Sequence, residues 1–296
     1  VVVSILEHHS DLLPWQMVCR QTGAELKFIE CAPDGSVDLQ QIESLITERT
    51  KIVAMTQVSN VLGRKYPLKE VAAMAHKKGA VMVVDGAQST PHMPVNVQEL
   101  GADFFAFSGH KIYGPMGIGG LYGREELLKE MPPFLSGGEM IESVTRTGAV
   151  YAELPHKFEA GTVNAAGAAG LAAAIRYVQS VGFDTIQQRE HDLTANALAR
   201  VLAVPHVHVL GTDRPEDHNG IITFTVDGVH PHDISEIMAS DGVNIRAGHH
   251  CAQPLLAHLG LNATARASFA FYNTDEDVDR FLESLSTLRE RMGYGK

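Results

Sequence analysis

Cysteine is scarce in this sequence and odd in number: Cys19, Cys31 and Cys251, with no CxxC spacing. So few thiols argue against a disulfide framework and suit a reducing cytoplasm. Long apolar runs are missing too. No stretch reaches the ~18 apolar residues that would mark a membrane-spanning helix, and no secretory leader is visible. Basic charge is in deficit: 24 Lys and Arg stand against 35 Asp and Glu, a formal net charge of −11. That removes the electrostatic footprint of a nucleic-acid binder but leaves room for a local phosphate site. A dinucleotide fingerprint is lacking as well, because "GIGG" near residue 118 leads into a strand rather than opening a helix. There is no internal repeat, no low-complexity tail and no initiator methionine. The chain opens on "VVVSIL", a strand already in progress, and reads as a piece of something longer.

What is present is enough to bury a large core, since 45% of the 296 residues are hydrophobic. In the first half, strand-like runs alternate with helical ones. "KIVAMTQVS" (51–59) is followed by a helical segment 68–78 with Leu68, Val71, Ala72 and Ala75 on one face, ending at Gly79. "AVMVV" (80–84) is closed by Asp85, and a further strand begins at Asp103. These intervals predict βαβ units and a mainly parallel sheet, whose ligands bind beyond the carboxyl ends of the strands. Asn60, Asp85 and Lys111 each follow an apolar run and should gather at that edge. The Gly- and Thr-rich stretch 136–162 is expected to loop over the surface, and Ala165–Val181 to form a long bridging helix. Beyond it lie a strand at 220–229, a helix at "HDISEIMASDG", a strand and loop at "GVNIRAG", and a final helix opened by the capping box Thr274–Asp277. Two domains are predicted, 1–178 and a smaller α+β unit 179–296.

A carboxylate at the end of a buried strand is costly without a cationic partner. Lys111, one strand–helix–strand step after Asp85, can supply one. A plain ion pair is the simplest account. The surplus of polar neighbours points further: Gly86 and Gln88 follow the Asp in "DGAQ", and Ser108 and His110 precede the Lys in "SGHK". A lysine that bonds an aldehyde and an aspartate that keeps a pyridine nitrogen protonated are what pyridoxal 5'-phosphate chemistry requires. The glycines around Lys111 are expected to let backbone and cofactor approach closely. The pairs His206-Val-His208 and His230-Pro-His232 have no carboxylate or cysteine at zinc-site spacing, and no metal is expected. Cys19 and Cys31 read as small core residues, whereas Cys251 sits in the polar loop "GHHCAQP".

Seven segments together, "EHHSDLLPWQ", "QVSNVLG", "VVDGAQS", "FSGHKIYGP", "FEAGTVN", "RAGHHCAQPLL" and "RASFAFYNT", resemble the SufS-type cysteine desulfurases of the class V aminotransferases. They run from residue 7 to 274 in the family's order. The resemblance implies an α/β fold-type I transferase, with a mainly parallel seven-stranded-type sheet flanked by helices and a smaller α+β C-terminal domain. It implies pyridoxal phosphate bonded to Lys111, with Asp85 on the ring nitrogen, Gln88 on the phenolic oxygen, and His8 stacked on the ring as proton relay. His9, by strand alternation, would face away. Ser108 and His110 would hold the phosphate. Thr162 would reach the phosphate of a neighbouring subunit, which implies a homodimer. Asn60, Arg266 and Arg246 would hold the substrate carboxylate, a task suited to the planar guanidinium.

Cys251 would take sulfur from L-cysteine as a persulfide and leave L-alanine, feeding iron–sulfur cluster assembly. His249 and His250, if protonated, would favour its thiolate. The short Arg246–Cys251 spacing resembles the compact loop of the SufS-type group and implies a separate SufE-like or SufU-like acceptor. A selenocysteine lyase or cysteine sulfinate desulfinase on the same scaffold is an alternative. Two departures stand out. Val163 replaces the proline usual after "EAGT", and the family's long segment before "EHH", part of its phosphate cup, is not in this sequence. A chain beginning at Val1 therefore also admits an inactive fragment that dimerises or binds a partner.

Overall fold

In the computed structural model, which describes residues 1–294, the first half of the chain builds one twisted sheet. Its strands are β1 (Val2–Ser4), β2 (Lys27–Ile29), β3 (Ile52–Thr56), β4 (Val81–Asp85), β5 (Phe104–Ser108) and β6 (Gly119–Gly123), in the order β2-β1-β3-β4-β5-β6. The first five are parallel, and β6 runs antiparallel to β5. Helices α1 (His9–Thr22), α2 (Leu39–Leu45), α3 (Leu68–Lys77) and α4 (Val97–Leu100) make the crossovers. As expected, α3 buries Leu68, Val71, Ala72 and Ala75, and Gly79 turns the chain at φ +71°. A core of Leu6, Ile29, Met55, Met82, Val84 and Phe105 lies on this sheet. Each such side chain is worth ~1.5–3 kcal/mol of burial.

Two expectations need correction. The sheet has six strands among the described residues, not seven. The β-runs of the second half pair instead with one another, and glycine-rich β6, with Leu121 62% exposed, ends the sheet. The stretch 136–162, read as a surface loop, contains a hairpin after α5 (Glu125–Glu130). Strands β7 (Ile141–Val144) and β8 (Ala149–Tyr151) meet across a turn in which Thr145 Oγ1 accepts from Gly148 N (3.1 Å). Two short β-branched runs suffice for that pairing.

Helices α6 (Ala165–Val181) and α7 (Phe183–Val201) then lead to a second, antiparallel sheet. It orders β11 (Arg246–Gly248), β12 (Thr264–Ser268), β10 (Ile221–Val226) and β9 (Val207–Val209), with α8 (Pro231–Ser240) and α10 (Asp275–Arg291) packed on it. Its core holds Ile222, Phe224, Phe281 and Leu285. The capping box at Thr274 and Asp277 is present. Between β11 and β12 the chain crosses back. Ala252 and helix α9 (Gln253–His258), through Leu255 and Leu256, bury into the first core. Cys251 therefore sits where the chain passes from the edge of the second sheet to the core of the first.

Candidate active site

The carboxyl ends of β3, β4 and β5 are in register: Thr56 lies opposite Asp85, and Asp85 opposite Ala106. Beyond them opens a cavity of about 450 Å³ lined by His8, Asn60, Asp85, Gln88, Ser108, His110, Lys111, Arg246 and Arg266. Nine of the eleven candidate residues thus share one wall. Cys251 stands at its rim, half-buried, and Thr162 is exposed elsewhere on the surface.

Asp85 ends β4, and its Oδ1 accepts from Ala87 N (2.8 Å), which fixes the carboxylate at the cavity wall. Gly86 is required by packing. A Cβ there would lie 1.8 Å from Cζ of buried Phe105. Gly86→Ala should therefore cost about 1–3 kcal/mol by overpacking and lower the midpoint of thermal unfolding by several degrees; an unchanged midpoint in calorimetry would refute this packing account.

Lys111 lies in a 3₁₀ turn, Gly109–Ile112, straight after β5. The glycines that frame it have a reason other than ligand approach. A Cβ on Gly109 would meet the Ile118 carbonyl oxygen at 2.7 Å, and one on Gly114 the Gly109 oxygen at 2.8 Å. Tight backbone packing at the β5–β6 connection demands them. Burial, and the nearby cations of Arg266 and Arg246, lower the Lys111 pKa, while Asp85 opposes the shift.

His8 is the N-cap of α1, its Nδ1 accepting from Ser10 N (3.1 Å). The neutral ring therefore carries its proton on Nε2. Burial, then Lys111, lowers its pKa. His9 is not among the residues lining the cavity, but the reason is not strand alternation: it opens a helix and turns to the cysteine loop. Its backbone N donates to the Cys251 carbonyl (2.7 Å), and its Nε2 accepts from Gln253 N (3.0 Å). The double histidine thus ties the cavity to the cysteine loop.

Arg266 Nη1 donates to the Asn60 carbonyl (2.6 Å), and Asn60 Nδ2 donates to the His250 carbonyl (2.6 Å). Burial pulls the Arg266 pKa down to about 10, and its buried Nε has no partner, a donor left for an anion. His250 and Cys251 have left-handed backbones, φ +54° and +56°, a conformation that side-chain-bearing residues adopt at a cost. His250 cannot supply a cation to the thiol. It is buried, bonded through Nε2 to Thr264 Oγ1 (2.7 Å), and burial with the charges of Arg266 and Arg246 drives its pKa down to about 3. Arg246 instead places Nη2 3.5 Å from Cys251 Sγ. Cys19 and Cys31 are buried, and burial pushes the Cys31 thiol up to about 11. His206 and His208 both bond the Asp227 carboxylate, at 3.3 and 2.9 Å.

Sequence reasoning passed over Ser10 and Asp11, which also line the cavity. The signal was in "EHHSD": once a helix starts at His9, residues 8 to 11 share its first turn.

A mainly parallel α/β sheet with a lysine and an aspartate converging beyond its carboxyl edge, and an arginine with a free buried N–H beside them, makes a pocket suited to an anionic ligand. The chain belongs to the class-V aminotransferase family, whose model matches residues 1–281. The probable cysteine desulfurase of Halalkalibacterium halodurans is 49% identical over 294 residues, covering 99% of this chain and 72% of that protein. That of Streptomyces coelicolor is 45% identical over 293 residues, covering 99% and 70%. Among solved structures, the cysteine desulfurase CsdA from Escherichia coli, in an S-sulfonic acid form, superposes with a TM-score of 0.94 at 41% identity, covering 98% of this chain and 72% of that one. The apo cysteine desulfurase of Thermococcus onnurineus NA1 gives 0.94 at 43% identity, with the same coverage.

Proposed function

We propose that this chain is a pyridoxal-phosphate-dependent cysteine desulfurase that converts L-cysteine to L-alanine and holds the sulfur as a persulfide on Cys251. The observation that carries it is the Cys251 sulfur, held by Arg246 at the rim of the cavity that contains Lys111 and Asp85. The cavity fits the cofactor. It offers a lysine of lowered proton affinity for the aldehyde and an aspartate fixed through Ala87 for the ring nitrogen. It also offers Gln88 for the phenolic oxygen, and Ser108 and His110 for the phosphate. When bound, pyridoxal phosphate supplies an electron sink for the carbon that loses sulfur.

The protein's own groups do the rest. Arg266, with its free Nε, and Asn60 orient the substrate carboxylate. His8, neutral and with its proton on Nε2, takes and returns a proton within the cavity. Arg246 stabilises negative charge on the Cys251 sulfur. That sulfur attacks the substrate sulfur: an S–S bond forms and the substrate S–C bond breaks. The carbon fragment keeps the electron pair and, once protonated, leaves as alanine.

The compact loop, anchored by His9 on one side and by α9 on the other, limits the reach of Cys251. That supports a SufE-like or SufU-like acceptor that comes to the persulfide, while the cytoplasm and iron–sulfur cluster assembly belong to the reading through the resemblance alone. Exposed Met116, Phe134, Leu135, Val144 and Val163, the last next to Thr162 in sequence, support a homodimer in which Thr162 serves the partner's cofactor phosphate. The test is to load the protein with pyridoxal phosphate, add L-cysteine with a reducing thiol, and follow alanine and sulfide. Equal amounts of both are expected, from a species that sediments as a dimer. No alanine from a loaded, folded protein would overturn the activity, and a sedimenting monomer would overturn the dimer.

A further inference from the structure

The turn that follows β3 carries Asn60 and joins the two sheets. Buried Ser59 folds it. The Ser59 N donates to the Arg64 carbonyl (3.0 Å), and its Oγ accepts from Val61 N (3.2 Å) and Leu62 N (3.1 Å). The turn offers its own carbonyls to the second half of the chain. Arg266 Nη1 donates to the Asn60 carbonyl (2.6 Å), Thr223 Oγ1 to that of Val61, and Asn219 Nδ2 to that of Gly63 (2.7 Å). Gly63 is required there, since its φ is +68° and a Cβ would lie 1.9 Å from the His218 carbonyl oxygen. One bond runs the other way, from Asn60 Nδ2 to the His250 carbonyl (2.6 Å). That carbonyl belongs to a turn in need of support. Ala252 N donates to the His249 carbonyl (2.9 Å), and both residues between them, His250 and Cys251, are left-handed. Such a turn favours Asn and Gly, which take φ > 0 readily. Neither stands here, so outside groups hold it: Asn60 on the His250 carbonyl, His9 N on the Cys251 carbonyl, and Thr264 Oγ1 on the His250 ring. Of these three holders only Asn60 lines the cavity and is bonded to Arg266.

We propose that Asn60 is a positioning residue for sulfur transfer, fastening the left-handed Cys251 turn to the arginine that receives the substrate carboxylate. Its side chain holds one partner of the S–S bond and its backbone the other. Arg266 fixes the carboxylate end of the substrate, and Cys251 must then meet the sulfur at the other end. A common anchor sets the distance between the two, and an error of about 1 Å in such a distance costs on the order of a hundredfold in rate. The role in sulfur transfer rests on the desulfurase reading above. The hold on the turn does not, because it is a property of the empty site.

Asn60→Ala removes the donor, and Asn60→Asp replaces it with an acceptor of the same shape. Both leave the backbone carbonyl that holds Arg266. Hydrogen exchange of the cofactor-free protein, read by mass spectrometry, should quicken about tenfold in the peptide containing Ala252 N, while peptides of β3, β10 and β12 keep their wild-type rates. Unchanged exchange in that peptide, or faster exchange throughout the chain, overturns the proposal. Alkylation of Cys251 by iodoacetamide in the same cofactor-free protein gives a second reading. Arg246→Gln should slow it about three- to tenfold in the wild-type background, through loss of the cation beside the sulfur. In the Asn60→Ala background the same replacement should have little effect, because the sulfur no longer rests beside residue 246. Equal effects in the two backgrounds overturn the proposal. Once loaded with pyridoxal phosphate, Asn60→Ala should form alanine from L-cysteine about 10- to 100-fold more slowly, yet bind L-alanine, which has the carboxylate and no sulfur, within about twofold of the wild type. A loss of L-alanine binding as large as the loss of turnover overturns the proposal and makes Asn60 a carboxylate ligand only. A wild type that forms no alanine overturns the desulfurase reading and the role in sulfur transfer with it, while exchange and alkylation still decide whether Asn60 holds the turn.

Discussion

Replacing Cys251 with serine should abolish sulfur transfer from L-cysteine, by a factor on the order of 10³ or more, while cofactor binding stays intact. Cys251 lies at the rim of the cavity and is not among the residues lining it. Its Oγ counterpart would keep the left-handed turn, and the bonds that hold the turn are made by its backbone: His9 N donates to the carbonyl of residue 251. What the serine loses is a sulfur beside Arg246. An alcohol is too weakly acidic to be activated by one guanidinium, and its oxygen is a poor nucleophile toward sulfur. Alanine formation from cysteine, followed by chromatography, should fall to background. The same variant separates the neighbouring chemistries. Loss of sulfinate from cysteine sulfinate, or of selenium from selenocysteine, does not need a protein thiol to accept sulfur, so any such activity should survive. If cysteine turnover were undiminished in Cys251→Ser, the persulfide assignment would fall, and the protein would be read as a lyase of that second kind.

The split between what the sequence disclosed and what it hid follows the range of the interactions. The parallel sheet was legible because "AVMVV" and "KIVAMT" are runs that only a strand covered on both faces can bury, and the helix between them carries its apolar face at regular spacing. The convergence of Asn60, Asp85 and Lys111 followed from that topology alone, since ligands in such sheets gather beyond the carboxyl ends of the strands. The hairpin β7–β8 was not legible, because its strands are short and almost wholly exposed, and their pairing depends on the Thr145–Gly148 turn. His250 was misjudged for a related reason. Its neighbours in sequence suggested a polar loop, but its charge is decided by burial and then by Arg266 and Arg246, and Arg266 lies on a strand that follows a helix. Titration is set by the groups around a residue in space, and these come from distant parts of the chain.

Replacing Lys111 has the other large effect, and two substitutions are needed to read it. Lys111→Ala removes both the amine and a cation from a cavity wall that contains Asp85; Lys111→Arg keeps the cation but cannot bond an aldehyde. Both should lower alanine formation by about 10⁴-fold or more. Wild type treated with pyridoxal phosphate and then borohydride should carry the cofactor covalently on the peptide containing Lys111, as mass spectrometry will show, and neither variant should. The pH dependence of cofactor attachment adds a sign. Burial and the charges of Arg266 and Arg246 lower the proton affinity of Lys111, so the neutral amine that attacks the aldehyde is present at lower pH than for a surface lysine. The rate of attachment should therefore rise with pH and level off below the pH at which an exposed lysine would. Replacing Arg266 by glutamine removes one of the two cations that favour the neutral amine, so the plateau should move to higher pH. Covalent labelling that persists in Lys111→Ala would mean that a different lysine receives the cofactor. The Asp85–Lys111 pair would then keep only the attraction by which Asp85 raises the proton affinity of the lysine.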